Sequence, residues 1–317
     1  MSEQIVDQWR RKVRERFFRE RSLRPQDFER RIDVSWSNWG FGLEELDVSC
    51  ARLSAEGLKY VELHGNHYGP DLGYEVEETK KILESHGLKV SGVCGMFSND
   101  NDLSSNNPVQ QQRAIDYIRR EAHFVQEMQG AYLLVVPGSV GRADAYDSSE
   151  FPRSVAALRR IADVFVETGV KAAIEPIRSA EVSLVHSVRD AIDYIEAVDH
   201  PGVQHINGDI YHMLVEEAYI PLAVLEADDR LINLHLADTN RLALGKGAMD
   251  LDTIIMSLYL VGQNQQGRFV TPEPLGPGAG PYAARTAVPN PKVLDRLVHD
   301  TVSYFREREE AVRMMEP

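Results

Sequence analysis

Eight short β-rich runs, each followed by a helical pattern, set the strongest limit on how this 317-residue chain folds. The runs fall at residues 32–36, 60–64, 88–94, 132–137, 170–175, 203–209, 231–237 and 268–273. They are nearly continuous in apolar residues, so they read as parallel strands covered on both faces. Between them lie amphipathic stretches such as 75–86, 108–129, 151–168, 187–198 and 251–261, with a last one at 292–308. Eight alternations of strand and helix are the count of a closed (β/α)8 TIM barrel, whose usual length is about 250 residues. The rival, a doubly wound open sheet, lacks its signature, because no GxGxxG follows any of the runs. The expectation is an α/β chain with a barrel at 32–310, an N-terminal helical extension at 1–31 and a tail at 311–317.

The extension has its own character. Residues 1–31 hold ten Lys/Arg and six Asp/Glu, a net +4 in a chain of −14, so the remainder carries −18. Ile5, Trp9, Val13 and Phe17 recur every four residues and share one stripe of a helix, which Pro25 ends. Such a stripe either caps the core of its own barrel or docks another subunit.

Charge and composition narrow the function. With 49 acidic against 35 basic side chains, the surface is a poor match for phosphate backbones or anionic membranes. No apolar run approaches the ~18 residues of a membrane span, and the N-terminus lacks the apolar core of a signal peptide. Cys50 and Cys94 have no CxxC spacing and read as reduced thiols. A cytoplasmic, soluble protein is expected.

In a barrel the active site lies at the C-terminal ends of the strands. Three loops project there: the polar segments 95–108 and 137–150, and the Pro/Gly-rich 271–291, long enough to serve as a lid or binding surface. Strands five to eight also end in polar residues, Glu175 in AAIEP, Asp209 in HINGD, His235 in NLHLAD and Glu273 in FVTPEP. Each alone has an ordinary use as a cap, a turn former or a satisfied core histidine. Four at consecutive strand ends form a hard, oxygen-rich set suited to Mn²⁺, Mg²⁺ or Co²⁺. His64 and His67 follow strand two, placed to orient a hydroxyl or carry a proton, unless they are simple loop polar groups. Trp36 and Trp39 follow strand one and would stack on a sugar or pack beneath the loops. Asp238 would support the metal histidine or cap a helix.

The segments EPIRSAE, NGDIYHM, LHLADTNR and VTPEP resemble the sugar isomerase/epimerase superfamily of xylose isomerase-like TIM barrels, which includes the ketose 3-epimerases, over residues 32–309. The resemblance implies Glu175, Asp209, His235 and Glu273 as ligands of a divalent metal, Mn²⁺ first. It also implies Glu181, His212 and Arg241 as contacts to substrate hydroxyls, with His64 and Trp36 as further candidates at the rim. The implied chemistry is removal of a proton beside a ketone, with Glu175 and Glu273 on opposite faces of the planar intermediate and His67 as a further proton carrier.

The same first step permits two outcomes. The extension, the segment ELHGNHYGPDLGY and the long Pro/Gly loop resemble the catalytic α subunits of bacterial C-glycoside deglycosidases. That points to a carbon–carbon lyase acting on 3-oxo C-glycosides by β-elimination, partnered by a small β subunit or by copies of itself. The alternative is a ketose 3-epimerase or related sugar isomerase on the same metal site. Endonuclease IV shares the barrel but requires a histidine-rich zinc site and a DNA-binding face, which the ligand set and the charge do not supply. A non-catalytic binding module would be marked by purified protein that holds no divalent ion.

Overall fold

A computed structural model describes residues 3–65, 73–275, 288 and 290–317. Its centre is a parallel seven-stranded sheet in chain order: β1 (Tyr60–Gly65), β2 (Lys89–Gly95), β3 (Tyr132–Val135), β4 (Lys171–Ile174), β5 (His205–Asp209), β6 (Leu231–Leu236) and β7 (Phe269–Pro272). The expected first strand at 32–36 is instead two isolated bridges, Val34 to Val270 and Ser37 to Glu62. It nevertheless closes the ring. Ser35 N donates to Val270 O (2.9 Å), Val270 N to Asp33 O (3.0 Å) and Ser37 N to Pro272 O (3.2 Å), while on the other side Glu62 N donates to Trp36 O (2.8 Å). The run has room for few contacts per side before the chain turns into a 3-10 turn at Asn38–Phe41, so no full ladder forms. The architecture is an α/β, near-closed parallel barrel ringed by helices, with a helical extension at its N-terminus.

The helices follow the apolar periodicity with some differences. They are α1 (Glu3–Leu23), α2 (Leu46–Ala55), α3 (Val76–Ser85), α4 (Pro108–Glu127), α5 (Glu150–Arg159), α6 (Asp163–Thr168), α7 (Val188–Val198), α8 (Ile210–Glu216), α9 (Ile220–Ala227), α10 (Leu251–Leu260) and α11 (Pro291–Met314). The single helix expected at 151–168 breaks into α5 and α6. At the break Ile161 N bonds Leu158 O and Val164 N bonds Ile161 O, three-residue steps that tighten the chain as Ile161 and Ala162 turn into the core. Among the described residues no helix is long and apolar enough to cross a membrane.

Strand alternation sorts the barrel's side chains. Outward residues such as Leu63, Val93, Leu133, Ile174, Leu234 and Val270 join the continuous core beneath the helices. Tyr132, Ala173, Ile232 and Phe269 form a separate apolar floor. Ile232 reaches it because the β5–β6 pairing skips that residue, going from Ile206↔Leu231 to Asn207↔Asn233. Polar side chains lie above that floor, which is where burial has to be compensated.

The extension packs on its own chain. Val13 and Phe17 are buried, the Phe17 ring meets Phe28 at 5.5 Å and Tyr259 at 6.3 Å, and Trp9 stacks on Tyr219 at 5.8 Å. Arg10 adds an ion pair to Asp250 (2.7 Å). Of the stripe only Ile5 is exposed. We therefore expect Phe17→Ala to lower unfolding free energy by about 3–5 kcal/mol, measured by urea denaturation at several protein concentrations. A helix reserved for another subunit would instead leave the isolated chain's stability unchanged.

A second expectation concerns α4. Glu121 is buried with its Oε1 unpartnered, close under Gly65 at the end of β1. Burial pushes its carboxyl up to about 8, against the smaller opposing pull of Arg120 and the Tyr117 hydroxyl. The folded state keeps this proton above pH 4.5, where the unfolded chain has lost it, so the native state binds more protons and stability falls as pH rises toward 8. Glu121→Gln should flatten that decline, by up to about 1.4 kcal/mol per pH unit, and should be more stable than wild type at pH 8 in melts run from pH 5 to 8.

Candidate metal centre

The rim at the C-terminal end of the barrel gathers the four strand-end residues. Glu175 directly follows β4, Asp209 ends β5, His235 lies in β6 and Glu273 directly follows β7. All four are buried. Ligand atoms of Asp209, His235 and Glu273 lie within 4.8 Å of one another, as do those of Glu175, Asp209 and His212. His235 Nδ1 lies 3.3 Å from Glu273 Oε2 and 3.6 Å from Glu175 Oε1, which links the two groups.

The electrostatics define what this cluster favours. Burial, then the neighbouring carboxylates, raise Glu175 well above the ordinary carboxylate range, although His235 pulls the other way. Burial also raises Glu273, only partly opposed by His235 and Arg241. Burial works against a charge on His235, but Glu62 and Glu273 outweigh it and push its pKa well up. These shifts favour protonated carboxyls wherever no cation offsets their charge. A divalent cation would replace those protons, and three carboxylates with one imidazole are donors of the right kind for it.

The remaining residues fall into place or away from it. Glu181, His212 and Arg241 line the same cavity. His212 Nε2 lies 3.3 Å from Asp209 Oδ2, its Nδ1 is buried without a partner, and burial depresses its pKa to about 4, so it is neutral. Glu181 is paired with Arg178. Arg241 donates to Glu273 Oε1 (3.0 Å) and lies 4.0 Å over the Tyr211 ring. Trp36 is 1% exposed and stacked on Phe41, whereas Trp39 reaches the cavity and donates from Nε1 to Glu273 Oε2 (2.6 Å). His64 is buried with its ring edge-on to Tyr74. His67 lies outside the described residues, as does most of the 271–291 loop expected to form a lid.

Asp238 does neither of the things expected of it. Its carboxylate accepts from the backbone N–H groups of Thr239 (2.8 Å), Gly245 (2.8 Å) and Met249 (3.2 Å), folding the loop that presents Arg241 at a φ of 59°.

Two contributors escaped sequence reasoning. Glu62, in the middle of β1, accepts from His235 Nε2 at 3.0 Å with each oxygen. Asn207, in β5, donates to Glu175 Oε1 (3.0 Å). The available signal was a carboxylate and an amide inside otherwise apolar strand runs, where burial is expensive unless each is put to use.

The model of the family described as xylose isomerase-like TIM barrel matches residues 50–273. The chain belongs to that family. A ketose 3-epimerase of Arthrobacter globiformis is 26% identical over 226 residues, covering 68% of this chain and 78% of the relative. A D-psicose 3-epimerase of Enterocloster bolteae is 33% identical over 236 residues, 72% of each. Among solved structures, a D-allulose 3-epimerase from Methylomonas sp. in complex with D-allulose superposes with a TM-score of 0.76 at 20% identity, covering 89% of this chain and 98% of that one.

These relatives correct the expectation of a C-glycoside deglycosidase. These three relatives are epimerases, so the reading as the lyase subunit of a C-glycoside deglycosidase does not stand. One of the features that suggested it, the N-terminal extension, packs its apolar stripe on the chain's own barrel.

Because the raised carboxyl and imidazole pKa values favour bound protons, binding a divalent ion should release them. Titrating Mn²⁺ by calorimetry in two buffers of different ionisation enthalpy should show net proton release, with affinity weakening as pH falls. Asp209→Asn should abolish measurable binding.

Proposed function

We propose that this protein is a divalent-metal-dependent ketose 3-epimerase, with Mn²⁺ as the native ion. The observation that carries the reading is the pairing of Glu175 and Glu273. They come from strands three positions apart around the ring and both approach His235 Nδ1, at 3.6 and 3.3 Å. In this reading Glu175, Asp209, His235 and Glu273 hold the cation, as one nitrogen among oxygens suits Mn²⁺. The ion would polarise the ketone and stabilise negative charge developing on the sugar oxygens.

The chain's own residues supply the rest. One of the two glutamates accepts the proton as the C3–H bond breaks and the electron pair moves into the neighbouring carbonyl. The other, protonated at the outset, delivers its proton to C3 from the opposite face. C3 is inverted, the two glutamates have exchanged protonation states, and the reverse reaction starts from that state. For the cycle to turn, one of the pair must be ionised and the other protonated when the ketose binds. Glu181, His212 and Arg241 orient the hydroxyls around the reacting carbon. The buried, free Cys50 and Cys94 agree with a reducing, cytoplasmic setting.

The test is to incubate the Mn²⁺-loaded protein with D-fructose, D-psicose, D-tagatose and L-ribulose in D₂O and follow C3 by NMR. Interconversion of C3 epimers with deuterium entering at C3, lost on chelation and reduced at least 10³-fold in Glu175→Gln and in Glu273→Gln, is expected. Ketoses left untouched while a 3-oxo-glycoside is inverted at C4, the position named for a relative from Escherichia coli, would replace this reading.

A further inference from the structure

We propose that Glu62 is a positioning residue that fixes the tautomer and aim of His235. Both Glu62 oxygens lie 3.0 Å from His235 Nε2, so that nitrogen keeps its hydrogen and Nδ1 is the one that would give up its own and present a lone pair to a cation. A second contact agrees: the Asn207 amide nitrogen, a donor, faces Nδ1 at 3.4 Å. Nδ1 is thereby turned toward Glu175 (3.6 Å) and Glu273 (3.3 Å). Glu62 is itself held in place. It accepts from the Tyr132 hydroxyl (2.6 Å) and from Asn233 Nδ2 (3.4 Å), and its backbone N–H donates to Trp36 O at the barrel seam. Asn233 in turn donates to Asn207 (2.8 Å) and accepts from Thr271 (2.7 Å). Every polar group around the imidazole is thus tied to a strand.

A fully buried carboxylate in a barrel interior is costly, and an apolar residue would fill the space as well. Orienting a ligand is a use that offsets that cost, since the partner of a metal histidine sets both ring orientation and ligand basicity. The inference rests on the metal-binding half of the proposed function and not on the identity of the sugar.

The experiment uses the full chain stripped of metal and titrated with Mn²⁺ by calorimetry and with Co²⁺ by visible absorption. Glu62→Gln keeps the shape and an acceptor but removes the charge, and Glu62→Ala removes the acceptor. Mn²⁺ affinity should fall about 10-fold in the first and about 100-fold in the second, with an altered Co²⁺ spectrum in both. Variants that melt at lower temperature without metal, yet bind Mn²⁺ with wild-type affinity and give the wild-type Co²⁺ spectrum, would reduce Glu62 to a packing residue and overturn the inference. Wild-type protein that binds both ions but epimerises no ketose would overturn the functional reading and leave this one standing.

Discussion

Mutual repulsion among buried carboxylates governs the top of this barrel. Glu62, Glu175, Asp209 and Glu273 are brought together away from water, and the cations among them are the Arg241 guanidinium and whatever proton His235 retains. Charges in such a place must be paired, protonated or bound to metal. Glu62 and His235 take the first solution, Glu175 and Glu273 lean toward the second, and the cluster as a whole is built for the third. The hydrogen bonds from Trp39, Arg241 and Asn207 then serve one end, holding each carboxylate where the others would drive it away.

The support for that cluster is layered. An apolar floor of Tyr132, Ala173, Ile232 and Phe269 excludes water from below. Above it a belt of Glu62, Asn207, Asn233 and Thr271 carries hydrogen bonds from strand to strand, and the rim residues stand on that belt. Loops complete the wall, each with its own fastening. Asp238 gathers three backbone N–H groups to present Arg241, and Arg142 binds Asp102, Glu150 and Ser183 to join the loops beyond β2, β3 and β4.

Much of this was legible in the chain. Alternating apolar runs specified the barrel because burial on both faces leaves strands little choice of composition, and the strand-end residues stood out because ionisable groups are rare there. Legibility failed where one segment met another. Residues 32–36 read as a strand, but whether they form a ladder depends on the reach of β7 and β1. Glu62 is one acidic letter in YVELHG, and its partner lies on the far side of the barrel in β6. The extension was ambiguous for the same reason, since an apolar stripe does not name the surface that covers it. The deglycosidase resemblance drew on such peripheral features, while the rim residues, fixed by chemistry, pointed to the superfamily.

The seam has a consequence in time. Val34 bridges to Val270, the Ile32 backbone N–H donates to Glu309, and Arg21 reaches the carbonyl of Met315, so the first and last parts of the chain fasten the ring together. A growing chain emerging from the ribosome cannot make these contacts until nearly all of it has been synthesised. The acidic rim is therefore enclosed only where the two ends of the chain meet.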